Sequence, residues 1–288
     1  MNADYIIYTD DTSDLPANFY KENQIGLVYL NYTLEGVEYS GTKTLSPKDF
    51  YDKMRSGATP QTSQMTPEQA TFAFEKALRE GKDILHLGFS SGLSGSFNSA
   101  RIAMDSLREK YPERKMFCVD TLCASLGEGL LLFKAIQLKK AGKSIDDVYS
   151  WLEENKLHLC HLFTVDDLMY LHRGGRVSKA TAVAGSILGI KPILHVDDEG
   201  HLTPIGKIRG RKQSITALAD EMGKRIGDWG NATIAISHCD CEDEAIQLRD
   251  IVMKRFPIKE CIINYVGTVI GAHAGPKTLA LFFMGNSR

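Results

Sequence analysis

The chain has 288 residues, 43 % hydrophobic and 24 % charged, with 34 Lys+Arg against 36 Asp+Glu and a formal net charge of −2. That length supports one large domain or two smaller ones around a real core, and the balanced charge argues against a global attraction to nucleic acid or an anionic membrane. Met1-Asn2-Ala3-Asp4 lacks the cationic start and apolar stretch of a signal peptide. The longest uncharged run, Cys261 to Pro276, is interrupted by Asn264, His273 and glycines, so no stable membrane insertion is expected. The six cysteines (118, 123, 160, 239, 241 and 261) include no CxxC pair and fit a reducing cytoplasm. Cys239-Asp240-Cys241 reads as two ordinary thiols at a strand end, since no second ligand pair lies near in sequence for a soft metal.

In chain order, apolar runs alternate with helix-period segments. Tyr5 to Thr9, Asp83 to Phe89 and Lys115 to Val119 read as strands. Helices are predicted over Pro67–Arg79, Gly95–Lys110 and Ala124–Ala141. Thr66 serves as N-cap of the first of these, with Pro67 at the first helical position and Gln69 reaching back. The stretch Gly36 to Gln64 reads as a long irregular loop of the kind that carries function. A second unit begins near Ser150, with a strand over His158 to Thr164 and a hairpin of Lys191–Val196 and His201–Ile208. A helix over Arg211–Ile226, a strand at Thr233–Ser237, a helix over Glu242–Phe256 and strands at Glu260–Tyr265 and Thr278–Met284 complete it. The expected fold is α/β with two domains: residues 1–152, a parallel sheet covered by helices, and residues 153–288, an α+β layer, with the ligand between them.

Four segments could carry chemistry. Gly88-Phe89-Ser90-Ser91-Gly92-Leu93-Ser94-Gly95-Ser96 follows a strand and precedes a helix. Its hydroxyls and free N–H groups gather where the helix dipole favours an anion, beyond what a single cap requires. Pro60-Gln61-Thr62-Ser63-Gln64 precedes the helix capped by Thr66 and by itself reads as a positioning loop. In Leu171-His172-Arg173-Gly174-Gly175-Arg176-Val177-Ser178, two arginines flank a glycine pair, either as an anion clamp or as a helix C-cap followed by an N-cap. Gly271-Ala272-His273-Ala274-Gly275-Pro276 places a lone His among small residues, where a structural role is the commoner one.

In this order the segments resemble the DegV family of bacterial fatty-acid-binding proteins. The resemblance also includes Tyr8-Thr9-Asp10-Asp11-Thr12-Ser13-Asp14-Leu15, Val119-Asp120-Thr121, Ala124-Ser125-Leu126-Gly127 and Gly210-Arg211-Lys212, and runs over nearly the whole chain. It implies one long-chain fatty acid, such as palmitate, buried between two domains, with no other cofactor and no metal. It implies that the carboxylate is held by Thr62 and Ser94, with Ser63, Gly95 and Ser96 as neighbouring donors and His273 near the head group. It further implies a non-catalytic lipid-binding role in which a fatty-acid kinase phosphorylates the bound carboxylate. Three positions depart from the family: Asp11 stands where Ser is usual, Met65 where Pro is usual, and Lys277 where Gly is usual.

Physical chemistry gives the same arrangement a rationale. Burying about 16 carbons at ~0.8 kcal/mol each gains roughly 10 kcal/mol before ordering costs, so the tail can supply most of the affinity. A head group brought inside must have its oxygens satisfied, which neutral hydroxyls and backbone N–H groups can do while leaving one oxygen approachable. Ala180 to Ile190, uncharged and rich in small residues, reads equally as tunnel lining or plain core helix. Eight basic residues between Arg173 and Lys212 stand against three acids, either a solvated face or a docking surface. Arg173, Arg209 and Arg211 are its candidates for the vicinity of the head group or a partner.

Two other readings compete: lipid transport or storage without a kinase, and a serine hydrolase. Gly88-Phe89-Ser90-Ser91-Gly92 satisfies G-x-S-x-G, with Ser90 as nucleophile and His273 later in the chain. The helix, however, is predicted to start several residues past that motif. No GxGxxG follows the first strand and no GxxxxGK[ST] occurs, so both standard phosphate cradles for a nucleotide are absent.

Overall fold

The first apolar run forms β1 (Tyr5–Asp10), continued by a single 3₁₀ turn, Asp11–Ser13, and α1 (Ala17–Glu22). The computed structural model describes residues 4–41, 43–185, 189–230 and 232–288. Next come the short strands β2 (Gly26–Val28), β3 (Asn31–Leu34) and β4 (Val37–Tyr39), then α2 (Pro47–Arg55), β5 (Gln61–Ser63) and α3 (Pro67–Arg79). After β6 (Asp83–Gly88) the chain forms α4 (Ser96–Lys110), β7 (Met116–Asp120), α5 (Leu126–Lys140) and α6 (Ile145–Asn155). Strands β2-β1-β6-β7 make an all-parallel sheet, and β4-β3-β5 a small antiparallel one. Every residue of β6 is buried, as a central parallel strand covered on both faces requires.

Helix α3 forms as its sequence signals. Thr66 Oγ1 accepts from Gln69 N, Gln69 Oε1 accepts from Thr66 N, and Ala70, Phe74, Ala77 and Leu78 present one buried face. The expected irregular loop, residues 36–64, is instead largely ordered: it supplies β4, α2 and β5. Ser46 caps α2 with Pro47 at its first position, and Phe50, Tyr51 and Met54 bury its inner face. That cap-and-stripe signal is present in the sequence, but it spans too few turns to stand out from its polar surroundings.

The second region contains β8 (Leu159–Thr164), α7 (Met169–Arg173), α8 (Lys179–Gly185), β9 (Ile190–Val196), β10 (Leu202–Arg209) and α9 (Arg211–Arg225). It ends with β11 (Thr233–His238), α10 (Glu242–Arg255), β12 (Glu260–Tyr265), α11 (Thr268–Ala274) and β13 (Leu279–Met284). Its six-stranded sheet runs β10-β9-β8-β13-β11-β12, antiparallel except for the β11–β12 pair. The chain is thus an α/β protein with a parallel-sheet N-terminal region and a sheet-rich C-terminal region. Helix α6 and the 3₁₀ segment Lys156–His158 that follows it lead from the first region into β8.

Helix α5 is buried nearly all round because it lies between the two sheets, against β6 on one side and β8, β11 and β13 on the other. One apolar core, including Leu87, Leu130, Phe163 and Phe282, therefore spans both regions. Polar contacts cross the same seam. Tyr51 Oη donates to Val266 O at 2.7 Å, and Asp14 accepts from Gly267 N at 3.0 Å and Ser125 Oγ at 2.5 Å. The buried Arg288 guanidinium donates to Leu159 O, Asp197 O and Thr121 O. These contacts use groups that water would otherwise satisfy, so the two regions are held in a defined relation.

Candidate functional site

Between the regions lies a cavity of about 360 Å³, within the size range of small-ligand sites. Phe163 on β8, Ala280 and Phe282 on β13, Val196 and Leu202 of the β9–β10 hairpin, and Leu171 line its C-terminal side. Val266, Val269 and Ile270 extend that apolar wall onto α11 and the residues leading into it. The N-terminal side supplies loops: Thr62-Ser63-Gln64 and Leu93-Ser94-Gly95. A second, outer groove, lined by Pro60, Gln61, Tyr170 and Arg173, shares Thr62, Arg176 and His273 with the cavity, and these three mark its mouth.

Thr62 sits on β5, in register with Tyr32 of β3, which aims its side chain across at α11. Its Oγ1 lies 2.7 Å from His273 Nε2. Burial, with the nearby Arg176 charge adding to it, pulls the His273 pKa down to about 4, so the ring is neutral at physiological pH. The pairing explains the lone His in its run of small residues: a Cβ on Gly174 would lie 2.1 Å from His273 Nδ1, so only glycine lets the ring seat there.

The serine loop is tied to the threonine loop. Ser96 Oγ accepts from Met65 N at 3.1 Å, and Ser94 Oγ accepts from Ser96 N at 3.2 Å. The two hydroxyls lie 3.0 Å apart, and one O–H proton suffices to bridge them, which leaves the other free to donate. Ser94 lines the cavity whereas Ser96 is fully buried, so the spare donor faces the ligand space at Ser94 and Ser96 acts by holding the loops together. Met65 matters through its N–H, which a proline at this position could not offer to Ser96. A Cβ on Gly95 would lie 2.1 Å from Gln64 Oε1, so this glycine lets the two loops touch. The serine loop leads into the 15-residue helix α4, whose N-terminal N–H groups favour a negative charge, and the Met65–Ser96 bond holds the threonine loop beside that helix start.

Among the described residues, Arg176 is the cation that lines the cavity. Its Nε donates to Leu93 O at 3.2 Å and its Nη1 to Gly174 O, which fixes the guanidinium against the serine loop. Burial pulls its pKa downward. Of the other arginines singled out by sequence, Arg173 is exposed, stacks 4.6 Å from the Tyr170 ring and lines the outer groove. Arg209 is exposed on β10 and lines neither space. Arg211 is committed elsewhere: Nη2 meets Glu244 at 2.6 Å and Lys277 O at 2.5 Å. Lys277 itself is exposed with φ +63°, a left-handed conformation that glycine adopts most readily.

Several lining residues were not legible as site residues. Ser125, Ser237, Thr12 and His161 add polar groups to the wall, but each is engaged. Ser125 bonds Asp14 and Ser237, Thr12 bonds Glu128, and His161 Nε2 accepts from Ala124 N. Burial holds His161 well below its ordinary pKa, so it brings no charge into the apolar interior. Asp11 accepts from Leu30 N, and burial, first among its causes, raises its pKa to about 7. It lines a neighbouring open space that shares Thr12, Leu30, Val269 and Ile270 with the cavity.

Ser90 is fully buried, and its hydroxyl donates to Gly200 O of the β9–β10 turn at 2.9 Å. Its proton is thus used as a clip between the regions, while the His273 ring is engaged by Thr62. The stretch Ala180–Ile190 falls partly outside the described residues, at 186–188; within it Ala182 belongs to the core shared with Leu171 and Val177. Among the described residues no group of three or more His, Cys, Asp or Glu could hold a metal ion, and no helix is long and apolar enough to cross a membrane.

Two sheets enclosing an apolar cavity, with hydroxyls and a helix N-terminus at its mouth, define a two-domain α/β protein built around an internal cavity. The chain belongs to the DegV family, described as uncharacterised proteins, whose pattern matches residues 5–286. It is 46 % identical over 286 residues to a DegV domain-containing protein of Clostridium perfringens, covering 99 % of this chain and 98 % of that one. The structure resembles a Thermus thermophilus DegV family protein described by its fatty-acid binding (TM-score 0.88, 31 % identity, 99 % and 100 % of the chains covered). It also resembles DegV of Bacillus subtilis, described as a fatty acid binding protein (TM-score 0.83, 30 % identity, 99 % and 100 % covered).

Proposed function

We propose that this protein binds one long-chain fatty acid in the cavity between its two regions, tail against the C-terminal sheet and carboxylate at Thr62 and Ser94. The observation that carries the reading is the juxtaposition at one mouth of two hydroxyl loops, a helix N-terminus and a neutral His, backed by an apolar wall. The fatty-acid binding of the Thermus and Bacillus relatives supports it. Ser63 and Gly95 flank the carboxylate, Ser96 holds the loops in place, and Arg176 contributes positive potential from a guanidinium already anchored on two carbonyls. The outer groove at the mouth gives a fatty-acid kinase access to the carboxylate, with Arg173 beside it and Arg209 on the neighbouring exposed face. In this reading the protein is a cytoplasmic, non-catalytic carrier, with residues 1–152 contributing the head-group loops and 153–288 most of the tail wall.

Removing a hydroxyl leaves part of a buried head group unsatisfied, worth roughly 1–3 kcal/mol or about 5- to 150-fold in affinity. Thr62→Ala and Ser94→Ala, titrated with a fluorescent long-chain fatty acid, should each weaken binding in that range. Native affinity in both variants would remove the carboxylate from this mouth.

A further inference from the structure

Away from the cavity, three side chains line up across the parallel sheet. Cys118 on β7 is in register with His86 on β6, and His86 with Tyr8 on β1, which puts Asp10, two residues on, on the same face. Cys118 Sγ lies 3.3 Å from His86 Nδ1, and His86 Nε2 lies 3.0 Å from Asp10 Oδ1. The second carboxylate oxygen of Asp10 accepts from Phe89 N at 2.8 Å. Asp10 and His86 are fully buried. A buried carboxylate already holding one N–H fixes its neighbour's tautomer: Nε2 carries the proton it donates, and Nδ1 turns its lone pair to the thiol.

We propose that Asp10, His86 and Cys118 form a nucleophile–base–orienter set that makes Cys118 a reactive thiol, open to oxidation by hydroperoxides. The set is a known way of raising thiolate character: a thiol against an imidazole that a carboxylate stabilises as imidazolium. Burial opposes protonation of His86, but Cys118 and Asp10 together outweigh it and raise the His86 pKa to about 10, as suits a base that takes up a proton. Cys118 is also placed to react. It lies on the edge strand of its sheet and is half-buried, whereas Cys123, Cys160 and Cys239 are fully enclosed. Cys241 and Cys261 share its exposure, but burial pushes both thiols upward.

The reaction balances within this set. The thiol proton passes to His86 Nδ1, and the thiolate sulfur attacks the terminal oxygen of the hydroperoxide. An S–O bond forms as the O–O bond breaks, and the departing oxygen takes the proton from His86. Sulfur is oxidised by two electrons to a sulfenic acid, and the hydroperoxide is reduced to water or an alcohol.

The test treats the intact protein at pH 7 with limiting hydrogen peroxide in the presence of dimedone and maps the adducts by peptide mass spectrometry. Cys118 should be labelled at least about tenfold faster than Cys241 or Cys261, and Asp10→Asn should slow Cys118 alone. His86→Gln serves as a second variant where its melting temperature shows a folded protein. Equal labelling of the three half-buried thiols in the native chain would overturn the proposal, whatever the variants do.

Discussion

The two sides of the cavity solve opposite problems. The C-terminal side is built from strands whose regular alternation presents Phe163, Ala280 and Phe282 as a continuous apolar surface. The N-terminal side is built from loops, where Thr62, Ser94 and the start of α4 converge because Gly95 and the Met65–Ser96 bond let the chain pack closely. A sheet face suits a tail, which needs area and no direction. Loops at a helix start suit a head group, which needs a few donors in set places. The same division appears in the buried acids, for the N-terminal side also carries Asp10, Asp14 and Glu128 in its interior.

If the strand side holds the tail, filling it should have the largest effect. Ala280 stands opposite Phe163 in the sheet, and Ala280→Trp should abolish lipid occupancy while the protein still melts cooperatively. Retained lipid in a folded variant would break the assignment of that wall. If a fatty-acid kinase works on the bound carboxylate, as proposed, a smaller effect confined to that step is expected outside the cavity. Arg209→Glu should slow acyl phosphorylation several-fold and leave lipid affinity unchanged; an altered affinity would move Arg209 into the site.

A separate effect, on stability and not on binding, concerns the buried acids. Burial raises the Asp14 pKa to about 8, although Ser125 and Gly267 N pull the other way. Between about pH 4 and pH 8 the folded chain therefore keeps a proton that the unfolded chain releases, so this group lowers stability as pH rises through that window. Asp11 acts in the same direction up to about pH 7. Asp14→Asn keeps the acceptor for Gly267 N and should flatten the decline by up to about 1.4 kcal/mol per pH unit. Denaturant titrations at pH 5 and pH 8 measure the difference; identical slopes in the two proteins would show Asp14 ionised in the fold.

The sequence carried the long elements and the head-group loops because each had a local signal. Thr66 and Gln69 announced α3 from a capping box, and the serines at 90–96 announced a helix start. Thr62, His273 and Arg176 were visible only as separate pieces, since the sequence separation of 211 between Thr62 and His273 is closed by tertiary packing that no periodicity encodes. Ser125 and Ser237 were missed for the same reason. Ser90 and Arg211 show the converse: promising residue types whose atoms are already committed, one to Gly200 O and one to Glu244. The segment 36–64 misled because its elements are short and its two strands, β4 and β5, pair only with the equally short β3.

Native mass spectrometry of the purified chain, followed by extraction and identification of whatever it carries, tests the central proposal most directly. The expected result is one long-chain fatty acid per protein, lost on denaturation and depleted in Ala280→Trp. A protein that emerges empty and takes up no fatty acid when offered one would contradict it.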